Sequence, residues 1–571
     1  MRYIYIPGLI CFLWGALLPC STLSAQEQSL HDIIDDSLRQ AQGDLADRSA
    51  SVIDDYGFAR RVYLDLTGRI PSPTQLSSFV ENEQANKREV LVDQLLNTPE
   101  YARHMQYVFD VMFMERLPKK HVAPEDFQGY LRTAFSSNKP YDALVSEILG
   151  ADGSKPELRP ASRFLLDREI KREESVRAIG RIFLGRDLQC AQCHNHPFDR
   201  WTQDDYYDWA TLFSGINYEE VGKNERSDKF DKNEFIGEQI VRYEFKEEYT
   251  NARTKAPATP RFLGDSSLTQ PVDRSRLEVL AQWLTSADNR WFVKSQVNRI
   301  WYHIMGRGLV EPVDDLRVTN PPVNSALLEA LATEFVDAGF DVRHLVRQIM
   351  NSTSYQLSST PNMTNVEDQQ NFSRAIVKRL DAEVLLDAQN QAIGVPAKFN
   401  GYELGLRAGQ IPGVRKVKWR KETPSSGDLF LATFGKPDRM MACECERSNE
   451  TTLNQAFFLV SDKGIGERMN EEKSQVRQLA ESELSDSEVV ELIYWKTLSR
   501  APSHAEHLFA VHYLANTERV FAGLSIGDSG RRKNKLAAEA IDGSVRSQDR
   551  LSNIQDLTWA LLNAKEFVFR H

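Results

Sequence analysis

Apolar residues recur at helical spacing along most of this chain, and that periodicity restricts it to a mainly α fold more than any other feature does. Thr98 reads as a helix cap with Pro99 in the first turn, and Tyr101, Met105, Val108 and Met112 then share one face. Val293, Val297, Ile300 and Ile304 repeat the pattern. A third helix begins at a cap on Asn324 or Ser325, carries Leu328, Leu331 and Phe335, and stops at Gly339. Asp341 opens a fourth, with Val342, Leu345, Val346 and Ile349 turned inward, and a strongly apolar last helix is expected over 554–569. One segment breaks the rule. It is charge-rich from Lys223 to Lys232, then alternates in strand fashion from Gln239 to Phe245 before Pro257 and Pro260. The expected architecture is two helical domains, 28–217 and 271–571, joined by a charged, partly β or irregular connecting segment over 218–270.

The first 25 residues form a separate unit. A single charge, Arg2, precedes an apolar run from Tyr3 to Leu18, short for a membrane span of about 20 residues and suited to the core of a signal peptide. Leu23-Ser24-Ala25 supplies a cleavage site before the polar Gln26-Glu27-Gln28. Export to the periplasm or the cell exterior is the expectation, with membrane association only through an uncleaved leader. A mean hydropathy of −0.46 argues against a polytopic membrane protein. A formal net charge of −11 lacks the basic footprint that phosphate backbones require, so no nucleic-acid partner is expected.

Of the six cysteines, Cys11 and Cys20 fall in the leader and the other four form two close pairs, Cys190-x-x-Cys193 and Cys443-x-Cys445. A disulfide-stabilised secreted protein would place its cysteines to close long loops. Close pairs point to a cofactor, a metal or a redox site instead. The first pair continues into His194, Asn195, His196, Pro197, Phe198 and Asp199, and Cys-x-x-Cys-His is the attachment motif of c-type haem. Cys190 and Cys193 would add to the two vinyl groups, and His194 would sit beneath the iron. His196 cannot reach the opposite face, since two residues of chain cannot pass around the macrocycle. The remote candidates for that position are Met305 and His303, at the end of the 293–304 helix; a core methionine and a hydrogen-bonded interface histidine are the plainer readings of the two.

Two other readings stay open. Zinc or another transition metal could use Cys190, Cys193, His194 and His196, which are cramped for four ligands, or draw in Cys443 and Cys445, either as a four-thiolate site with Cys190 and Cys193 or together with His194 and His196. Alternatively both thiol pairs are structural disulfides in a non-catalytic envelope protein. Asp199, Asp204 and Asp205 could form an acid–base pair, although Thr202 followed by acids is the ordinary composition of a helix N-terminus. No serine nucleophile elbow, His-Glu-x-x-His, phosphate loop or dinucleotide fingerprint occurs, so no catalytic residue is assigned.

Several blocks together resemble a known family. Arg60-Arg61-Val62-Tyr63-Leu64-Asp65-Leu66-Thr67-Gly68-Arg69-Ile70-Pro71, the Cys190–Asp199 stretch and Trp201-Thr202-Gln203-Asp204-Asp205-Tyr206-Tyr207 resemble the planctomycete-type secreted proteins with a cytochrome-c-like domain of unknown function, number 1549. Val297-Asn298-Arg299-Ile300-Trp301, Gly306 to Val310, Asp314-Asp315, Cys443 to Ser448 and Asp556 to Asn563 are similar to the domain of unknown function 1553 that follows it. A haem-bearing, electron-handling protein with a redox partner in the cell envelope is the leading expectation from the motif, and the resemblance adds no independent support for the haem. That cytochrome label itself rests on the Cys-x-x-Cys-His motif. The chain lacks the inserted carbohydrate-binding-like β domain of longer relatives, so no polysaccharide-binding role is carried over.

Overall fold

The computed structural model describes residues 28–42, 48–115, 117, 121–220, 239–244, 248–264, 275–411, 424–434, 463–515 and 543–571. The leader, the run from Lys223 to Lys232, Met440, Met441, Cys443 and Cys445 lie outside the described residues. The protein is mainly α-helical, in two helical domains with only two small sheets among the described residues.

Local signals place the helices where the periodicity predicts. Thr98 accepts from the Tyr101 amide and Pro99 occupies the first turn of the Pro99–Met114 helix. Asn289 caps Arg290–Met305, Asn324 caps Ser325–Asp337, and Asp341 caps Val342–Asn351, each accepting a backbone N–H inside the first turn. Gly306 takes φ 83° and ends Arg290–Met305 in the left-handed region, where a side chain would be strained. The Pro99–Met114 helix is buried on more than the expected face, because Gln106, Phe109, Phe113 and Met114 are also enclosed. It packs against the Asp55–Thr67 and Pro124–Ser136 helices.

The connecting segment contains the anticipated hairpin. Strand Gln239–Tyr243 pairs antiparallel with Ile216–Glu220, in register from Ile216 opposite Tyr243 to Glu220 opposite Gln239. The strand ends two residues before Phe245. The last apolar stretch differs more. Helix Gly543–Leu562 stops, the short helix Lys565–Val568 follows, and Phe569–Arg570 forms a strand paired with Lys378–Arg379. Asn563 breaks the run by donating its side-chain amide to the Trp559 carbonyl at 2.7 Å, and Ala564 then leaves helical geometry.

Buried side chains group differently from the linker composition. One core gathers Leu30 through Phe372, including the helices Arg276–Leu284 to Val342–Asn351. A second gathers Leu380 through Val568, joined by Leu64, Ile70 and Tyr107 from the first half. Helix Arg290–Met305 is held to the first half by buried polar bonds: Gln296 Nε2 donates to the Ile182 and Phe183 carbonyls at 2.9 and 3.0 Å, and Arg299 donates to Arg181.

The opening block of the chain anchors the closing one. Asp65, buried on the Asp55–Thr67 helix, accepts from Arg570 Nε and Nη2 at 2.9 and 2.7 Å and from the Tyr355 hydroxyl at 2.8 Å. Arg61 donates to the His571 carbonyl at 2.7 Å, and Arg60 donates to the Thr497 carbonyl at 2.7 Å. Both arginines are buried and donate to backbone oxygens of the second half of the chain.

Candidate functional site

The Cys-x-x-Cys-His turn hangs from the end of a buried helix. Arg172–Leu184 terminates at Gly185, φ 61°, and a side chain there would run into Leu316. Leu188 and Ala191 are fully buried and pin the following segment to the first core. Between and beyond them a short 3-10 turn, Gln189–Gln192, turns Cys190 and Cys193 outward, and both thiols are free and exposed. The amides of Cys193 and His194 each donate to the Cys190 carbonyl at 3.3 Å, which closes the turn.

His194 is exposed, and its Nδ1 lies 2.8 Å from the Asn195 carbonyl. A carbonyl can only accept, so Nδ1 carries a proton, and in the neutral ring the lone pair is on Nε2. Asn195 in turn accepts from the Gln203 amide at 3.0 Å, while Gln203 Nε2 donates to the Gln192 and Cys193 carbonyls at 3.0 and 3.3 Å. His196 is committed to the loop: its amide donates to the Trp201 carbonyl at 2.8 Å and its Nδ1 accepts from Phe198 at 3.2 Å.

Helix Gln203–Ala210 therefore splints the turn, and its own start is secured by a reciprocal capping box between Thr202 and Asp205. Thr202→Ala is expected to cost about 1 kcal/mol, read as a lower urea midpoint. The neighbouring acids are occupied structurally. Asp204 pairs with Arg253, Asp205 and Asp208 with Arg261, and Asp199 with Arg186, so none is arranged as an acid–base pair. Phe198 stands 61% exposed beside the turn, with the Arg317 guanidinium 5.6 Å from its ring.

Met305 is buried in the first core. The His303 ring packs 5.7 Å from that of His104, and no hydrogen bond joins either residue to the Cys190–His196 stretch among the described residues. Burial, then the Lys378 charge, pushes His303 down to about 4. His104 is held well below the ordinary histidine range by burial, by His303 and by Arg407. Sequence reasoning passed over His104; a histidine inside an otherwise apolar helical run is the only signal that marks it. Cys443 and Cys445 are outside the described residues, and among those described no group of three or more Cys, His, Asp or Glu side chains is gathered to hold a metal ion.

These features define a mainly α protein of two domains whose first half presents a Cys-x-x-Cys-His turn at the surface. Residues 33–218 match the family described as PSCyt2, protein of unknown function (DUF1549), and residues 275–514 match PSD1, protein of unknown function (DUF1553). The chain belongs to the proteins that carry these two domains in this order. No curated protein and no solved structure matches it.

Proposed function

We propose that the protein is exported, carries one c-type haem on Cys190, Cys193 and His194, and transfers electrons to or from a redox partner in the cell envelope. The observation that supports this most is the presentation of all three groups on a single exposed turn: two unpaired thiols and an imidazole whose Nδ1 is tied to the Asn195 carbonyl. Each thiol would form a C–S bond to one vinyl group, its proton passing to the adjoining vinyl carbon, so no oxidant is consumed. Gln203 and Asn195 would hold the turn while His194 offers its Nε2 lone pair. Bound there, a haem would supply reversible one-electron chemistry. The exposed Phe198 beside Arg317 offers a partner an apolar contact next to the turn. The leader supports export, and no helix among the described residues is long and apolar enough to cross a membrane.

The zinc or transition-metal alternative would draw on Cys190, Cys193, His194 and His196, with or without Cys443 and Cys445, whereas His196 Nδ1 is already engaged by the Phe198 amide. Intact mass separates the readings. Protein secreted by a host with haem-ligation machinery should gain the mass of one haem, and Cys190→Ala/Cys193→Ala should not. An unmodified wild-type mass would overturn the proposal.

A further inference from the structure

The loop that follows the Cys-x-x-Cys-His turn carries a guanidinium held by two indoles. The loop is tied back to the turn, because the His196 amide donates to the Trp201 carbonyl at 2.8 Å and Gln203 Nε2 donates to the Cys193 carbonyl at 3.3 Å. Arg200 stands between those ties. Its guanidinium carbon lies 4.6 Å from the Trp201 ring centroid and 5.1 Å from that of Trp291, and the two indoles meet edge to face with centroids 5.6 Å apart. Three separate parts of the chain build this seat. Trp201 is buried under the loop, and Trp291 comes from the start of helix Arg290–Met305. Gly264, in the connecting segment, takes φ 72°, and a side chain there would run into Trp291 and the Arg200 guanidinium.

We propose that Arg200 clasps one propionate of the haem carried by Cys190, Cys193 and His194, an inference that rests on that haem reading. The neighbouring guanidiniums are already spent. Arg186 engages Asp199 and the Leu316 carbonyl, and Arg317 engages Asp315 at 3.0 Å. The Arg200 guanidinium has neither an ion pair nor a hydrogen bond among the described residues, and the residue remains exposed. Stacking on two indoles restrains it, so less rotamer freedom is lost when it binds than for an arginine free in water. Its planar fork of donors suits a carboxylate, which it can hold by two parallel hydrogen bonds. A haem presents two carboxylates at its rim, and a ring fixed to this turn would bring them over the surface that Arg200 shares. The clasp fixes the orientation of the ring and compensates a negative charge that otherwise favours the ferric form.

The test uses the full chain secreted by a host with haem-ligation machinery. Arg200→Leu should load covalent haem as fully as the wild type, because both thiols and the imidazole are untouched. Spectroelectrochemical titration should then find the ferric–ferrous equilibrium moved about tenfold towards ferric, a midpoint about 59 mV lower for a one-electron couple. The propionate bending band in the resonance Raman spectrum should fall in frequency, and Arg317→Leu should leave that band in place. Arg200→Lys should recover only part of the potential, since an ammonium keeps the charge without the stacking or the fork. Circular dichroism checks folding, and Arg200→Gln replaces the Leu variant if it folds poorly. Wild-type protein without covalent haem would overturn the haem reading and the clasp together. Loaded Arg200→Leu with an unchanged midpoint and propionate band would overturn the clasp alone.

Discussion

Asp65→Ala is expected to destabilise the protein by about 3–5 kcal/mol, because removing one partner of a buried ion pair strands the other in a low-dielectric interior. Two groups lose their acceptor at once. Arg570 is buried and directs Nε and Nη2 at the Asp65 carboxylate, and the Tyr355 hydroxyl donates to the same oxygen. Arg570 also donates to the Ile304 carbonyl at 2.5 Å, so its displacement would release the end of the Arg290–Met305 helix as well. Equilibrium urea unfolding measures the loss. Asp65→Asn should recover part of it, since a side-chain carbonyl still accepts. Asp65→Leu/Arg570→Met should cost less than Asp65→Ala, because no uncompensated charge remains. A loss below about 1 kcal/mol for Asp65→Ala, the range of an exposed pair, would contradict this account of the clasp.

Acid should weaken the fold through His104 and His303 before most carboxylates are protonated. In the unfolded chain both imidazoles titrate near their ordinary value of about 6.5. In the folded protein burial holds both below it, His303 at about 4. Lys378, Arg407 and Arg570 face the pair with positive charge, and Asp381 and Asp65 oppose them. As the pH falls from about 6.5 towards 4, the unfolded state takes up two protons that the folded state resists. Stability is therefore complete above about pH 6.5 and is lost below it, by up to about 2.7 kcal/mol per pH unit for the two rings together. His303→Gln should remove about half of that slope, and carboxylates titrate equally in both proteins, so the difference isolates the ring. An unchanged slope would show that His303 is not held neutral.

What the sequence made legible was local. Thr98, Asn324 and Asp341 announce their helices because a cap and the periodicity it opens lie within a few residues of each other. The Cys190–His194 turn is legible for the same reason, since its chemistry is contiguous. Long-range pairing left no such trace. Asp65 is most simply a cap or salt-bridge partner by sequence, yet its partner Arg570 lies 505 residues away. His104 and His303 meet although their helices are far apart in sequence, and neither helix's pattern signals the other. The connecting segment marks where helical composition lapses, whereas the division of the cores follows side-chain burial, which draws helices 276–351 towards the first half. The break at Asn563 was hidden for a different reason: apolar residues continue across it to Phe569, and one side-chain bond to Trp559 decides the stop.

The pyridine haemochrome spectrum of protein secreted by a host with working haem-ligation machinery tests the central claim most directly. A c-type signal of one haem per chain, retained after denaturation and lost in Cys190→Ala/Cys193→Ala, is the predicted result. Wild-type protein with no covalent haem, made beside a control cytochrome that is fully loaded, would contradict it.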